Sequence, residues 1–146
     1  MNWKRIFGGG LVAGVVYMVG EFGIEPLMGP AMENFFHRLG LSVPGESAMV
    51  ALAVMMPVLG IISIWMYAAI LPRYGTGART ATSVGVVVWA LSCLMPNVVM
   101  YVFGLYEAKL FWFSIVWPLI ESVAATIAGA KVYGVERVGA TQPSRV

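Results

Sequence analysis

The sequence predicts an all-α protein, an antiparallel bundle of four transmembrane helices with a short amphipathic helix in the first external loop. Of its 146 residues, 60% are hydrophobic and only 11% are charged. A soluble domain carries about a quarter charged residues, so lipid must cover much of this surface. Four segments also reach the length of roughly 20 apolar residues that a helix needs to cross the hydrocarbon core.

The four spans are predicted at residues 6–24, 47–71, 79–105 and 110–132 and form one membrane domain over residues 1–137. The N-terminal apolar run is interpreted as a retained first span, because no A-x-A-like cleavage site follows it. Polar residues 138–146 are predicted to form a mobile cytoplasmic tail.

The first external loop carries the predicted short helix. Pro30 and Gly40 are typical of the start and the end of a helix. Between them an apolar face at helical spacing contains Met32, Phe35, Phe36 and Leu39. This helix either lies on the outer membrane surface or packs as a cap across the end of the bundle, and both interpretations stay open.

Lys and Arg residues predict the orientation. Seven of the nine flank one side of the spans: Lys4, Arg5, Arg73, Arg79, Lys131, Arg137 and Arg145. The other side has Arg38 and Lys109. Cytoplasmic flanks collect positive charge, so both termini are predicted to be cytoplasmic. With short loops and a retained first span, the pattern predicts a multi-pass protein of a bacterial inner membrane.

Several functional classes are not favoured by the composition. A net charge of +2 with scattered basic residues does not indicate nucleic-acid binding. The single cysteine, Cys93, excludes an intrachain disulfide and a cysteine-based zinc site. The single histidine excludes a two-histidine ligand pair within one chain. No catalytic set is visible, so no enzyme, cofactor or metal site is predicted. His37 is the one candidate ligand for a metal, pigment or haem, although a lone loop histidine is usually solvated.

Glu121 is the most informative single residue, because it lies near the middle of the fourth span. An ionised carboxylate there costs about 3 kcal/mol or more unless it is paired or solvated. Ser114, Trp117 and Ala125 share its helix face, and such small or polar faces turn toward other helices. Glu121 is therefore predicted to point inward. It could carry a proton or hold a ligand, or it could be a neutral hydrogen-bond donor that locks the bundle.

The remaining candidate site residues are Glu21, Asn97 and Tyr101, which would line an access route to Glu121. Glu21 lies near the outer end of the first span, and Asn97 shares a face with Tyr101 in the third. Glu21 could equally be an interfacial residue, and Asn97 could simply bond two helices together. Three prolines at similar depth predict kinks and a small cavity open toward the outer face: Pro57, Pro96 and Pro118.

Residues 65–80, with the pattern WxYAAIxPRYGxG, resemble a stretch of small bacterial four-helix membrane proteins of unassigned function. The opening residues Met1-Asn2-Trp3-Lys4 and the final-span residues Trp117-Pro118-Leu119-Ile120-Glu121 are similar as well. The resemblance implies the four-span topology and recurrent Glu21 and Glu121, and it implies no substrate.

Three functions remain open at this stage. The first is a structural or accessory subunit of a membrane complex, favoured by small-residue helix faces and the lack of catalytic groups. The second is an oligomeric transporter or small-ligand-binding protein that uses Glu121 as a protonatable group. The third is a pigment, haem or quinone-binding subunit. The expected partners are the lipid bilayer and other membrane subunits or further copies of the chain.

Overall fold

The computed structural model describes residues 2–139, with side chains described as far as residue 134, and it confirms the four-helix bundle. Its elements are α1 (Trp3–Arg38), α2 (Glu46–Tyr74), α3 (Ala78–Trp89), a π-helical turn (Ala90–Leu94), α4 (Met95–Val102) and α5 (Ala108–Gly139). Helix α3, the π-helical turn and α4 together form the third of four helices long and apolar enough to cross a membrane. Apart from its first two residues, the predicted tail lies outside the described part of the chain.

The distribution of polarity is inverted relative to a soluble protein. Large apolar side chains stand exposed along every span, among them Leu27, Val54 and Ile120, each more than half exposed. Polar side chains are instead buried inside the bundle: Ser63, Thr80, Glu121, Ser122 and Thr126. Water would penalise both arrangements, whereas lipid tails favour them. The chain is accordingly a multi-pass helical membrane protein.

Helix α1 differs from the prediction. The residues after Pro30 are helical, as expected, but they continue the first span without a break and form no separate helix. Pro26 and Pro30 both lie inside this 36-residue helix. Each proline removes one backbone donor, and the intact turns on either side keep the helix continuous. The chain leaves the helix only near Gly40, where a positive φ of 68° suits glycine.

The two ends of the bundle are packed differently. The "basic end" contains the start of α1, the α2–α3 turn and the end of α5. The "proline-rich end" contains the end of α1, the α1–α2 link and the α4–α5 link. The main cluster of buried hydrophobic residues lies in the half toward the basic end and includes Ile6, Ala13, Ile64, Tyr67, Val84 and Tyr133. Among the described residues, the half toward the proline-rich end holds three cavities, and the basic end holds one of ≈ 230 Å³ between α2, α3 and α5.

Glycines bring the helix backbones close together in the packed half. A Cβ built on Gly10 would lie 2.6 Å from the Ile61 Cα, where α1 meets α2. A Cβ on Gly129 would lie 2.5 Å from the Gly9 carbonyl oxygen, where α5 meets α1. Such approach is typical of membrane helices, which associate largely through van der Waals packing. Gly10 and Gly14, which have G-x-x-x-G spacing in α1, therefore pack inside the bundle.

The third span is interrupted by a π-helical turn. Pro96 follows the π-helical turn at Ala90–Leu94, and π-helical turns and prolines are the common causes of helix kinks. At the opposite end of this span, Gly75 and Gly77 adopt positive φ values of 76° and 143°. Glycine tolerates these angles, so the chain reverses between α2 and α3 within three residues.

Candidate functional site

A buried hydrogen-bond network joins all four spans at the middle of the bundle. The Tyr17 hydroxyl of α1 lies 2.8 Å from Ser122 Oγ of α5 and 3.4 Å from Ser63 Oγ of α2. Ser122 Oγ in turn donates to the Gly85 carbonyl of α3 over 2.9 Å. The network sits where the packed half gives way to the half with cavities.

The hydroxyl protons of this network can be assigned from the available acceptors. Ser122 gives its proton to the Gly85 carbonyl, and Ser63 gives its proton to the Leu59 carbonyl at 2.8 Å. Each serine has one proton to donate, so Tyr17 must donate to Ser122. The 3.4 Å approach to Ser63 is then a weak contact. Every proton in the network has an acceptor, and the centre of the bundle is closed.

Glu121 lies one residue before this network and is only 5% exposed, as predicted for an inward-facing residue. Its carboxyl group rests on Gly20 of α1, at a position that a Cβ on Gly20 would occupy. The Oε1 atom is buried and makes no hydrogen bond within the described part of the chain. The ion pairs of residues 2–134 involve Glu33 and Glu107, so no cation neutralises Glu121.

Glu21 and Asn97 meet at a cavity of ≈ 230 Å³ between α1, α4 and α5, which we name the α1–α4–α5 cavity. The Asn97 side-chain nitrogen donates to the Cys93 carbonyl at 2.8 Å and approaches the Ser114 carbonyl at 3.5 Å. Trp117 also lines this cavity, and its indole Nε1–H is buried without an acceptor among the described residues. Glu121 lies one helical turn beyond Trp117 along α5.

A second cavity of ≈ 420 Å³ lies on the other side of α1, between α1 and α2, and is named the α1–α2 cavity. Its lining is rich in methionine, from Met28, Met32, Met49 and Met56. Glu21 lines both cavities, and so do Ile24, Met28 and Met32. The stretch of α1 from Glu21 to Met32 therefore forms the wall between them.

The proline-rich end is closed by contacts between α1 and the α4–α5 link. The Arg38 guanidinium pairs with Glu107 and donates to the Leu105 carbonyl at 2.7 Å. The Phe35 and Tyr106 rings meet edge to face, with 5.1 Å between their centroids. Burial raises the pKa of the Tyr106 phenol. A third cavity of ≈ 400 Å³ lies beside this contact.

Two sequence-predicted candidates lie away from the cavities described here. Tyr101 is 44% exposed, and its ring stacks on Phe111 with 4.4 Å between centroids. His37 is exposed, with Nε2 3.6 Å from Glu33 Oε1. Within residues 2–134 no group of three or more His, Cys, Asp or Glu side chains is arranged to hold a metal ion.

Four further residues belong to the site although the sequence did not single them out for it: Tyr17, Gly20, Ser63 and Ser122. The sequence pattern could have indicated Tyr17, because it follows Gly10 and Gly14 on the same helical stripe as Glu21. It could not have indicated the serines, since a serine in a membrane helix commonly bonds the preceding turn of its own helix.

No family model, curated protein or solved structure matches the chain.

Proposed function

We propose that the protein binds a small ligand in the cavities beside α1 and that Glu121 is a proton-carrying group of this site. The ligand enters from the proline-rich end, where the cavities lie. Protonation of Glu121 responds to what occupies the neighbouring space. This is the ligand-binding alternative among the functions that the sequence leaves open.

One observation carries the proposal: the Glu121 carboxyl group is buried and, among the described residues, has an oxygen without a hydrogen-bond partner and no ion pair. A purely structural carboxyl would be expected to use its oxygens in hydrogen bonds, since an unmet buried polar atom costs about 1–3 kcal/mol. Unpaired ionisable groups inside membrane bundles are commonly parts of proton or substrate pathways. Trp117, one helical turn before Glu121 on α5, and Glu21, next to Gly20, line the α1–α4–α5 cavity, which brings its space close to the carboxyl group.

The geometry favours binding over a continuous pore within one chain. The network of Tyr17, Ser63 and Ser122 closes the centre of the bundle, and the glycine contacts beyond it leave little space between the backbones. A pore through one copy would have to break this network. Binding from one side does not.

The accessory-subunit role is favoured less by the contacts within the chain than by the sequence pattern alone. That expectation rested partly on small-residue helix faces, which could receive a partner's helices. Gly10, Gly14 and Gly60 instead pack against each other across α1 and α2. Their small size is therefore explained by contacts within the chain.

Infrared spectroscopy of the protein in lipid vesicles tests the role of Glu121. A protonated carboxyl group gives a C=O stretching band that shifts in D₂O when its proton exchanges with water. We expect such a band in the wild type, its loss in Glu121→Gln, and its retention in Glu46→Gln, which changes an exposed glutamate at the start of α2. A band that is unchanged by Glu121→Gln, or that never exchanges, contradicts the proposal.

Two glycine variants provide a matched check on the assignment. Gly20→Ala would place its methyl group on the Glu121 carboxyl and should shift the band. Gly23→Ala lies one turn further on in α1, where a Cβ meets nothing within 4 Å, and should leave the band unchanged. Equal spectra for the two variants would mean that the band does not arise from Glu121.

We also propose that the basic end faces the cytoplasm in a bacterial inner membrane. The seven-to-two distribution of Lys and Arg supports this orientation, and the resemblance to small bacterial membrane proteins supports the membrane. A Cys93→Ala background allows single cysteines to be placed in the links. In intact cells a membrane-impermeant maleimide should label Ser42→Cys but label Thr76→Cys only after lysis. The reverse pattern would invert the topology.

A further inference from the structure

The α1–α4–α5 cavity has an uneven supply of hydrogen-bonding groups. Both Asn97 amide protons are directed at carbonyls, of Cys93 and of Ser114, which leaves only Oδ1 with capacity to bond. The Ser114 hydroxyl donates to the Leu110 carbonyl at 2.8 Å and keeps only acceptor capacity. An ionised Glu21 carboxylate accepts hydrogen bonds as well. Three side chains lining one cavity therefore offer acceptors.

The donors at this cavity are few. No Lys, Arg or His lines it in the described part of the chain. The buried indole N–H of Trp117 has no acceptor among residues 2–134. The Cys93 thiol is a weak donor, and its sulfur lies 3.5 Å from Ser92 Oγ. A ligand that complements the cavity must bring several donors and can use one acceptor.

We propose that the α1–α4–α5 cavity binds a primary ammonium group, carried by a small amino alcohol or by the headgroup of an amine-bearing lipid. An ammonium group presents three N–H donors, which match Glu21, Asn97 Oδ1 and Ser114 Oγ. An oxygen on the same ligand accepts from Trp117. The inference rests on the proposed function and gives its ligand a chemical class.

The charge and the apolar lining of the α1–α4–α5 cavity agree with an ammonium ligand. The ion pairs of the described residues do not involve Glu21, so no side-chain cation neutralises its carboxylate there. A positive ligand group beside Glu21 would supply the missing charge. Apolar side chains from α1 and α5 complete the lining, including Ile24, Met28 and Phe113. They suit the carbon chain that joins the ammonium to the rest of the ligand.

Two pairs of probes separate hydrogen-bond donation from charge and separate the sources of the amine. Ethanolamine and choline, added to protein in detergent, carry the same charge, but the trimethylated choline nitrogen has no N–H donor. Vesicles of phosphatidylethanolamine and of phosphatidylcholine make the same comparison for a lipid headgroup. The readout is the midpoint of thermal unfolding followed by tryptophan fluorescence, since a ligand that binds only the folded state raises it.

We expect stabilisation by ethanolamine, by phosphatidylethanolamine or by both, and weaker stabilisation by the matched choline compound. Ethanolamine acting in detergent identifies a free amine as the ligand. Action of phosphatidylethanolamine alone identifies a lipid. Equal effects of the ethanolamine and choline forms, or no effect of any probe, overturn the inference.

Variants assign the effect to this cavity. Glu21→Gln should weaken binding of the active probe roughly tenfold to a hundredfold, the size expected for a lost hydrogen bond to a charged group. Ser114→Ala should weaken it less, and its hydroxyl bonds only its own helix, so folding is preserved. Glu25→Gln is the matched control, because Glu25 lines only the α1–α2 cavity. Wild-type binding by Glu21→Gln overturns the inference.

Failure here is distinguishable from failure of the proposed function. If amine binding depends on Glu21 but Glu121 gives no exchangeable infrared band, the amine site is supported and the proton-carrying role is contradicted. If Glu121 gives an exchangeable band but no amine binds, the proton-carrying role is supported and the amine site is contradicted.

Discussion

Hydrogen bonding at single residues divides the interior into a satisfied part and an unsatisfied part. Tyr17, Ser63 and Ser122 place every hydroxyl proton on an acceptor. One residue before Ser122, the Glu121 carboxyl keeps an oxygen without a partner in the described part of the chain. Satisfied and unsatisfied polar groups are thus neighbours on α5. The satisfied network holds the helices in position, and the unsatisfied carboxyl is left free to respond to its surroundings.

Removing the donor and removing the acceptor of the Tyr17–Ser122 hydrogen bond should lower the free energy of unfolding by different amounts. Tyr17→Phe leaves both serines bonded to carbonyls and should cost about 0.6 kcal/mol, the average for such bonds in membrane bundles. Ser122→Ala strands the buried Tyr17 hydroxyl and should cost about 1–3 kcal/mol. The free energy of unfolding in detergent micelles measures both. Ser83→Ala is the control, since Ser83 is exposed and bonds only the Arg79 carbonyl of its own helix. Equal losses for the two variants would contradict the proton assignment.

The inward direction of Glu121 could be predicted from the sequence, because helix periodicity places it on the same face as Ser114 and Trp117. The contact between Glu121 and Gly20 could not be predicted. It depends on the register between α1 and α5, and periodicity within one helix carries no information about that register. Asn97 was placed beside a cavity in the same way. Helix periodicity predicted that Tyr101, one turn further along α4, would line the access route to Glu121. Its ring stacks on Phe111 instead, because aromatic side chains attract each other.

Helices pack here through small residues at defined crossing points. Gly9 and Gly129 bring α1 and α5 into backbone contact. Such contacts tolerate no side chain, because the atoms that a Cβ would meet belong to the neighbouring backbone and cannot rotate away. The stability of the packed half therefore depends on a few positions rather than on total apolar area.

Gly129→Ala should destabilise the bundle by about 1–3 kcal/mol, the usual cost of overpacking a core. Gly134→Ala, in the same helix, meets nothing within 4 Å and should be neutral or slightly stabilising, since alanine favours helix over glycine. Thermal unfolding of both variants in the same detergent provides the comparison. A destabilising Gly134→Ala with a neutral Gly129→Ala would place the α1–α5 contact elsewhere.

The continuity of α1 can be tested by a distance measurement between two labels on the helix. Spin labels at the exposed positions Leu11 and His37 are 26 residues apart, so an unbroken helix separates their Cα atoms by roughly 39 Å. A separate surface helix turning near Pro30 would bring them to about 30 Å. Pulsed electron paramagnetic resonance in vesicles distinguishes the two. The shorter distance would restore the separate amphipathic helix.

Sequence patterns predicted the existence of the elements better than their ends. Hydropathy located all four spans, because lipid imposes a minimum apolar length. The break expected at Pro30 was wrong, because the rule that proline starts a helix describes a preference, and neighbouring turns can carry a helix past two missing donors. The π-helical turn at Ala90–Leu94 gave no signal beyond the nearby Pro96.

The two halves of the whole molecule differ in packing. Buried apolar side chains gather toward the basic end, and the three cavities lined by α1 gather toward the proline-rich end. The Arg38–Glu107 pair closes that end, but both side chains are substantially exposed. Exposed pairs contribute about 0–1 kcal/mol, so this closure is easily reversed.

Hydrogen–deuterium exchange in lipid nanodiscs should follow this division. Amides of α1 over residues 6–17 should exchange more slowly than those over residues 24–36, because local opening is easier where fewer buried contacts must break. Residues 122–134 of α5 should likewise exchange more slowly than residues 110–118. Uniform exchange along both helices would mean that the cavities do not loosen the proline-rich half.

Helix α1 is also longer than a bilayer requires. Its 36 residues span about 54 Å, against roughly 30 Å of hydrocarbon. A rod that exceeds the membrane must tilt or project from it, and its angle then follows the thickness of the bilayer. The same rod supplies the common wall of the α1–α2 and α1–α4–α5 cavities. A thinner or thicker membrane would consequently reshape both cavities together, so that bilayer thickness would act mechanically on the proposed site.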